Sequence, residues 1–276
     1  MEVRFVEVAG AATRYYHAGE GGRRLLLVHG FGMCADAWTR CIDGFADDFE
    51  VFAPDLPGHG FSDWVDFADG VAPQRHLADH LGRFADALGI DRCDVVGSSL
   101  GGILAALLYR ARPRRIGKLV LVGIDTPVSD SGAVDPEIVR AAMANGTRAM
   151  RAASWESCRE RLANICHDRG KAPSDIALIQ ASIYARPGVI DAYRRIGEGM
   201  IATVDSPDVR MRPEEIAAPT LLLCGSDDPR ASLDLIRANH DRIAGSEIAA
   251  FDRCGHLPHI EHADAFVRTV GAFLRK

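Results

Sequence analysis

The stretch Val95-Val96-Gly97-Ser98-Ser99-Leu100-Gly101-Gly102 decides the fold. A β-branched run leads into Gly-x-Ser-x-Gly, and an apolar pattern from Ile103 to Tyr109 follows at helical spacing. A strand that turns sharply into a helix carries a serine at its tip, and the glycines let backbone segments approach where no side chain fits. On this reading Ser99 is a nucleophile. A chain with 27 glycines also produces such a pentapeptide by chance, and the serine then only caps a helix. The sequence on either side decides between the two.

Outward from the elbow, strand-like runs lie at 4–8, 13–17, 24–28, 51–53, 93–96, 119–122, 221–224 and 248–251. Leu25-Leu26-Leu27-Val28 and Leu119-Val120-Leu121-Val122 are apolar at every position, as parallel strands covered on both faces should be. Between them, 76–88 sets Leu77, Leu81, Phe84 and Leu88 on one helical face, and 263–274 is amphipathic. Alternating strands and helices predict an α/β fold, an open and mostly parallel sheet with helices on both faces. The alternation stops between about 126 and 213. Helical patterns at 136–144, 155–167, 174–185 and 189–198 occur there, punctuated by Gly132, Gly146, Gly170, Pro173, Pro187 and Pro207. The expected division is a core of residues 1–126 and 214–276 with a helical insertion at 127–213.

At 276 residues, 47% apolar and 25% charged, the chain suits one large domain with a full core. A net charge of −6 argues against a nucleic-acid or anionic-membrane partner. Cys34, Cys41, Cys93, Cys158, Cys166, Cys224 and Cys254 are odd in number and contain no CxxC pair. Free thiols in a reducing cytoplasm and no metal site are expected. The first eight residues alternate like a strand, with no apolar signal segment. No run reaches the ~18 residues of a membrane span. Oligomeric state is open, with a dimer as one outcome.

Partners for Ser99 stand at other strand ends. Leu221-Leu222-Leu223-Cys224-Gly225-Ser226-Asp227-Asp228-Pro229 is a buried strand and an acidic turn. Asp228 there can orient an imidazole, although an Asx turn ended by Pro229 explains it equally. Asp227 and Asp125 are rival acids. Asp252-Arg253-Cys254-Gly255-His256 follows the last strand, and His256 fits a general base better than its neighbours His259 and His262. Leu25-Leu26-Leu27-Val28-His29-Gly30-Phe31-Gly32 is a glycine-rich turn after an early strand. Its Phe31 N–H, with the Leu100 N–H, can form an oxyanion hole. His29 is read as holding that turn, and His59 in Asp55-Leu56-Pro57-Gly58-His59-Gly60-Phe61-Ser62 as part of a rigid loop. Gly30, Ser98, Tyr184 and Leu257 are candidate pocket residues. Met143, Met150, Trp155, Ile183 and Met200 are apolar side chains that either line a pocket or form the insertion's own core.

These motifs, in this order, resemble the α/β-hydrolase superfamily over nearly the whole chain. The resemblance implies the α/β-hydrolase fold: an eight-stranded, mostly parallel sheet with a helical cap inserted after the sixth strand. Arg253-Cys254-Gly255-His256 and Glu261-His262-Ala263-Asp264-Ala265-Phe266 further resemble the C-terminal signature of meta-cleavage-product hydrolases, which cut a carbon–carbon bond in vinylogous 1,5-diketones. Three positions depart from that group. Ser98 stands where Asn is usual and Leu257 where Trp is usual. Ile179 or Gln180 falls near the place of a cap arginine, with Arg186 displaced. The expectation is therefore hydrolysis of a carboxylic ester, thioester or lactone with an apolar acyl or alkyl part, by an acyl-enzyme on Ser99 and without a cofactor. Carbon–carbon hydrolysis is the first alternative, and a ligand receptor with a weak or dead triad is the second.

Overall fold

The computed structural model describes residues 1–67, 70–124 and 135–276. Its strands are β1 (Glu2–Val8), β2 (Ala11–Ala18), β3 (Arg23–Val28), β4 (Phe49–Pro54), β5 (Cys93–Ser98), β6 (Ile116–Val122), β7 (Thr220–Gly225) and β8 (Glu247–Phe251). They form one sheet in the order β1-β2-β4-β3-β5-β6-β7-β8. β1–β2 and β2–β4 pair antiparallel, and every other neighbour is parallel. All eight predicted runs are strands, and their ends differ from expectation by up to three residues.

The helices are α1 (Ile42–Ala46), α2 (Pro73–Ala87), α3 (Leu100–Ala111), α4 (Pro136–Ala152), α5 (Trp155–Ala163), α6 (Ser174–Tyr184), α7 (Val189–Ala202), α8 (Leu233–Arg242), α9 (Pro258–Glu261) and α10 (Ala263–Arg275). The continuous apolar strands are explained by helices on both faces. Leu26, Val28, Val95, Leu119, Leu121 and Leu222 pack in one core with Leu81 and Phe84 of α2 and Leu104 of α3. Leu25, Leu27, Val96, Val120, Leu221 and Leu223 pack in the other with Phe45 of α1 and Phe266 and Phe273 of α10. At ~25 cal/mol per Å² of apolar area, burial on both faces is the main stabilising contribution to the central strands.

The inserted helices α4–α7 lie in the chain between β6 and β7, and no strand occurs among their described residues. α4 runs past the expected 144 and contains Gly146, which the sequence marks as a breaker. A Cβ there would lie 2.3 Å from the Tyr193 hydroxyl of α7, so this glycine serves close helix contact rather than termination. α5 stops at Ala163, four residues before the expected end, and the chain beyond it turns to meet the His256 loop. α1, α8 and α9 were not expected; all are short, and α8 buries only Ile236 and Asn239. The expected start of the insertion at 127, and Asp125, lie outside the described residues.

Candidate active site

Ser99 sits at the tip of β5 with φ 54° and ψ −121°, a conformation that costs about 1–3 kcal/mol in a non-glycine residue. Its surroundings hold it there. The Ser99 N–H donates to Val122 O at 2.8 Å, and Ser99 O accepts from Gly102 N at 2.8 Å. A Cβ on Gly97 would stand 2.2 Å from Gly101 O, and one on Gly101 would stand 2.1 Å from Val28 O. Only glycine lets strand, elbow and helix cross so closely.

The turn after β3 lies against this elbow. A Cβ on Gly30 would be 3.2 Å from both Ser98 O and Ser99 Cβ. Met33 N bonds Gly30 O at 3.0 Å, and this turn closure does not use the Phe31 N–H. Leu100 is the first residue of α3, so its N–H precedes the intrahelical ladder. The two amides expected of an oxyanion hole thus belong to two segments that touch. His29 acts as read: its Nε2 accepts from Leu56 N at 3.0 Å, and its Nδ1 lies 2.9 Å from Gly30 O. Burial pushes its pKa down to about 4.

The neighbouring loop is fixed by a buried ion cluster. Arg14 Nε donates to Asp55 Oδ2 at 2.6 Å, and Arg14 Nη2 also bonds Asp36. Asp55 accepts from Ala35 N at 2.7 Å and Phe61 N at 2.8 Å. Cys34, Asp36 and Asp55 together resemble a metal donor set, but the Arg14 guanidinium is already their counter-ion. Burial raises the Cys34 thiol pKa well above the usual range, so Cys34 is an inert thiol.

At the far side, His256 Nδ1 lies 2.8 Å from Asp228 Oδ2 and 2.9 Å from Oδ1. Their side chains are 2% and 0% exposed. Asp228 Oδ1 also accepts from Arg230 N at 2.8 Å and Ala231 N at 3.2 Å. The Asx turn and the histidine partnership are therefore not alternatives, because one carboxylate forms both. Asp227 turns away, 2.9 Å from His167 Nδ1 on the half-exposed surface. His256 Nε2 is buried with no hydrogen-bond partner among the described residues. A buried ring nitrogen left open in this way is free to take a proton from a nucleophile.

The other histidines are set aside by their surroundings. His59 lies tilted against His29, the ring centroids 5.3 Å apart, and burial pushes its pKa to about 3. His259 packs on Trp38 at 4.3 Å, with a pKa also pushed by burial to about 3. His262 lies on the surface, its Nε2 3.3 Å from Arg253 O.

Two residues brace the His256 loop. Glu261 Oε1 accepts from Gly255 N at 3.0 Å and Leu257 N at 3.3 Å, while its Oε2 accepts from His167 N at 2.8 Å. The His256 N–H donates to Ile165 O at 2.8 Å. Glu261 stands inside the C-terminal motif quoted above, but nothing in its spacing shows that it clamps both amides flanking a histidine.

Among the pocket residues, Tyr184 donates its hydroxyl to Gly32 O at 2.8 Å, and Ser98 and Leu257 are buried. Met150, Ile183 and Met200 join the apolar core, with Met143 packed against it. Trp155 is 38% exposed and donates to Ser174 O at 3.1 Å, so it faces away from any enclosed pocket. The sequence reading missed three residues. Tyr193 of α7 stacks on Phe31 with centroids 4.1 Å apart. Arg161 of α5 is 3% exposed; its Nη2 donates to Phe31 O at 3.1 Å and its Nη1 lies 3.3 Å from Gln180 Oε1. Arg230 follows Asp228 in the same turn. Arg186, by contrast, bonds Gly60 O and stacks over Phe61.

The fold and this constellation match a known group. The chain belongs to the alpha/beta hydrolase family, which it matches over residues 25–269. It is 30% identical over 283 residues to a 2-hydroxymuconate semialdehyde hydrolase of Pseudomonas putida, covering 98% of this chain and 93% of that one. A crystallised meta-cleavage product hydrolase from Pseudomonas fluorescens superposes with a TM-score of 0.79 at 24% identity, covering 99% and 97% of the two chains. An enol-lactonase from Burkholderia xenovorans superposes with a TM-score of 0.78 at 23% identity, covering 99% and 100%. The two structural likenesses establish the fold, which carbon–carbon and lactone hydrolases share. No described helix is long and apolar enough to cross a membrane.

Proposed function

We propose that the protein is a serine hydrolase that cuts a carbon–carbon bond in a small-molecule keto-dienoate of the meta-cleavage type. The observation that carries this reading is the full-length 30% identity to a hydrolase of 2-hydroxymuconate semialdehyde; a second full-length relative at 30% acts, by its name, on 2-hydroxy-6-oxononadienedioate. The first expectation from sequence, hydrolysis of an ester, thioester or lactone, is supported less well by these two relatives than the carbon–carbon alternative.

In this reading Ser99 is the nucleophile, His256 the base and then the acid, and Asp228 the group that orients His256 and stabilises its imidazolium. Ser99 Oγ adds to the ketone carbonyl as His256 takes its proton. The Phe31 and Leu100 N–H groups bind the resulting oxyanion. Collapse breaks the bond to the adjacent carbon, whose electron pair is delocalised into the remaining conjugated carbonyl system and then protonated. Water, deprotonated by His256, hydrolyses the acyl-Ser99 ester and releases a carboxylic acid. Residues 127–213 would form the unit that covers the bound substrate, and no cofactor is needed for these steps.

The test is a direct comparison of kcat/KM for a yellow 2-hydroxy-6-keto-dienoate and for a p-nitrophenyl ester. Faster loss of the dienolate absorbance supports carbon–carbon cleavage. Turnover of the ester alone would return the reading to ester hydrolysis.

A further inference from the structure

The sheet is open at its β1 edge. β1 stands last in the strand order and pairs with β2 in unbroken register from Glu2↔His17 to Val8↔Ala11. Native sheets blunt such an edge with proline, lysine, a bulge or a covering element. β1 contains no proline or lysine, and its register has no bulge. Met1, just before the strand, is 51% exposed, Val3 55% and Phe5 60%. These alternate positions share one face. The other large apolar side chains left exposed among the described residues, Trp155, Leu178 and Leu235, stand on three separate helices. The opposite face of β1 differs. Val8 is buried in the core, with Val6 packed against it, and nearer the N-terminus Arg4 and Glu2 carry opposite charges 2.7 Å apart.

The hairpin sets which backbone groups face outward. Val8 and Ala11 close a two-residue turn in which Ala9 and Gly10 both have positive φ, 52° and 85°. Residues closing such a turn exchange both backbone hydrogen bonds, and bonded pairs then alternate with unbonded ones. Glu2, Arg4, Val6 and Val8 therefore bond β2, while Val3, Phe5 and Glu7 turn their N–H and C=O groups to the open side. β2 has the same phase. Ala12 O and Arg14 O, opposite Glu7 and Phe5, accept instead from Asp63 N at 2.9 Å and Asp55 N at 2.8 Å.

We infer that this edge is a dimer interface, on which a second copy of the chain lays its own β1 antiparallel across a twofold axis at Val3. A twofold contact must be self-complementary, and this register is. Val3 faces the partner's Val3 and exchanges both outward hydrogen bonds with it. Phe5 faces the partner's Met1. On the other face Glu2 meets the partner's Arg4, and Arg4 meets the partner's Glu2. Centring the axis on Glu2 or Arg4 would set like charges opposite each other, and centring it on Phe5 would set Val3 against the partner's Glu7. The pairing joins two sheets into one. Because the copies run in opposite directions, their carboxyl edges and their Ser99 sites face opposite ways, so assembly leaves kcat and KM unchanged. The inference does not depend on which bond is cut.

Sedimentation velocity of the full chain, without an N-terminal tag, tests this from micromolar to submillimolar concentration. The contact is small against the ~800 Å² per partner of a stable complex, so the dimer should dissociate in the micromolar range. Val3→Lys sets two cations directly opposite each other and should raise the dissociation constant roughly tenfold or more. Glu2→Arg should weaken the dimer as well, by placing cation against cation at both ends of the contact. Adding Arg4→Glu to Glu2→Arg should restore wild-type association, because the two charges then exchange places. Glu2, Val3 and Arg4 are all exposed, so the variants should fold and turn over substrate as the wild type does; thermal melting checks the folding. A monomer at every concentration, growth beyond the dimer, a dimer unmoved by Val3→Lys, or a double variant that associates no better than Glu2→Arg would overturn the inference.

Discussion

The carboxyl edge of the sheet and the inserted helices differ in how they hold their chemistry. At the sheet edge, Ser99, Asp228 and His256 each follow a strand by a few residues, and local backbone geometry fixes them. In the insertion, Arg161, Tyr184 and Tyr193 reach the site from three helices by packing against one short turn, Phe31–Gly32. The first arrangement is set by spacing along the chain. The second is set by which helix face meets which turn. Bond cutting can therefore stay constant on this sheet while a few exchanges on the helices change what is bound.

Ser99→Ala gives the largest separation of the two regions. Turnover of any substrate should fall by about 10³-fold or more, since members of such a triad act as a unit, while binding of the uncleaved keto-dienoate, read by its absorbance on the variant, should survive. Loss of binding together with turnover would mean that the two regions are not separable. Gly101→Ala should come next. Its Cβ would meet the Val28 backbone at 2.1 Å, and a rigid strand cannot yield to it. Thermal or urea unfolding should show a loss of about 3 kcal/mol or more, and near-native stability would contradict the close crossing described here.

Glu261→Ala should lower kcat by roughly tenfold, up to 10²-fold, through misplacement of His256, with a smaller change in KM. Glu261→Gln keeps one acceptor oxygen and should recover part of kcat. If both variants move only KM, Glu261 serves the insertion rather than His256.

Acid sensitivity gives a smaller effect. The pKa values of His29, His59, His80 and His259 are pushed below the usual 6.5 to about 4, 3, 4 and 3, in each case mainly by burial. The unfolded chain therefore binds more protons as pH falls below 6.5. The stability these neutral rings contribute is complete above that pH and is lost progressively toward pH 3. Tm should decline across this window, and His259→Phe should make the decline shallower; an unchanged slope would remove His259 from the account. Smallest of all, Trp155→Ala on the exposed end of α5 should change stability by less than about 1 kcal/mol in urea unfolding and leave turnover unchanged.

The sheet was legible because continuous apolar runs and strand-end motifs record its backbone directly. The Ser99 elbow, the His29 turn and the Asp228 and His256 loops were found for the same reason, and the structure showed that Asp228 rather than Asp227 faces the imidazole. Arg161 was not legible. On α5 it stands in Glu156-Ser157-Cys158-Arg159-Glu160-Arg161, a run that reads as a solvated face, and only the fold shows that its side chain turns inward. Tyr193 was hidden likewise, since its stacking on Phe31 joins residues more than 150 positions apart. Glu261 lay in a quoted motif, yet its bonds to amides on both sides of His256 depend on how α9 folds back. Side chains that act near their own place in the chain leave a pattern there, and side chains delivered by packing do not.

The central claim is that Ser99 is a nucleophile activated by His256 and Asp228. Treatment with a fluorophosphonate, followed by peptide mapping by mass spectrometry, tests it most directly. The account predicts one adduct, on Ser99, with labelling slowed by orders of magnitude in His256→Ala. An adduct elsewhere, or labelling of Ser99 undiminished in His256→Ala, would contradict it.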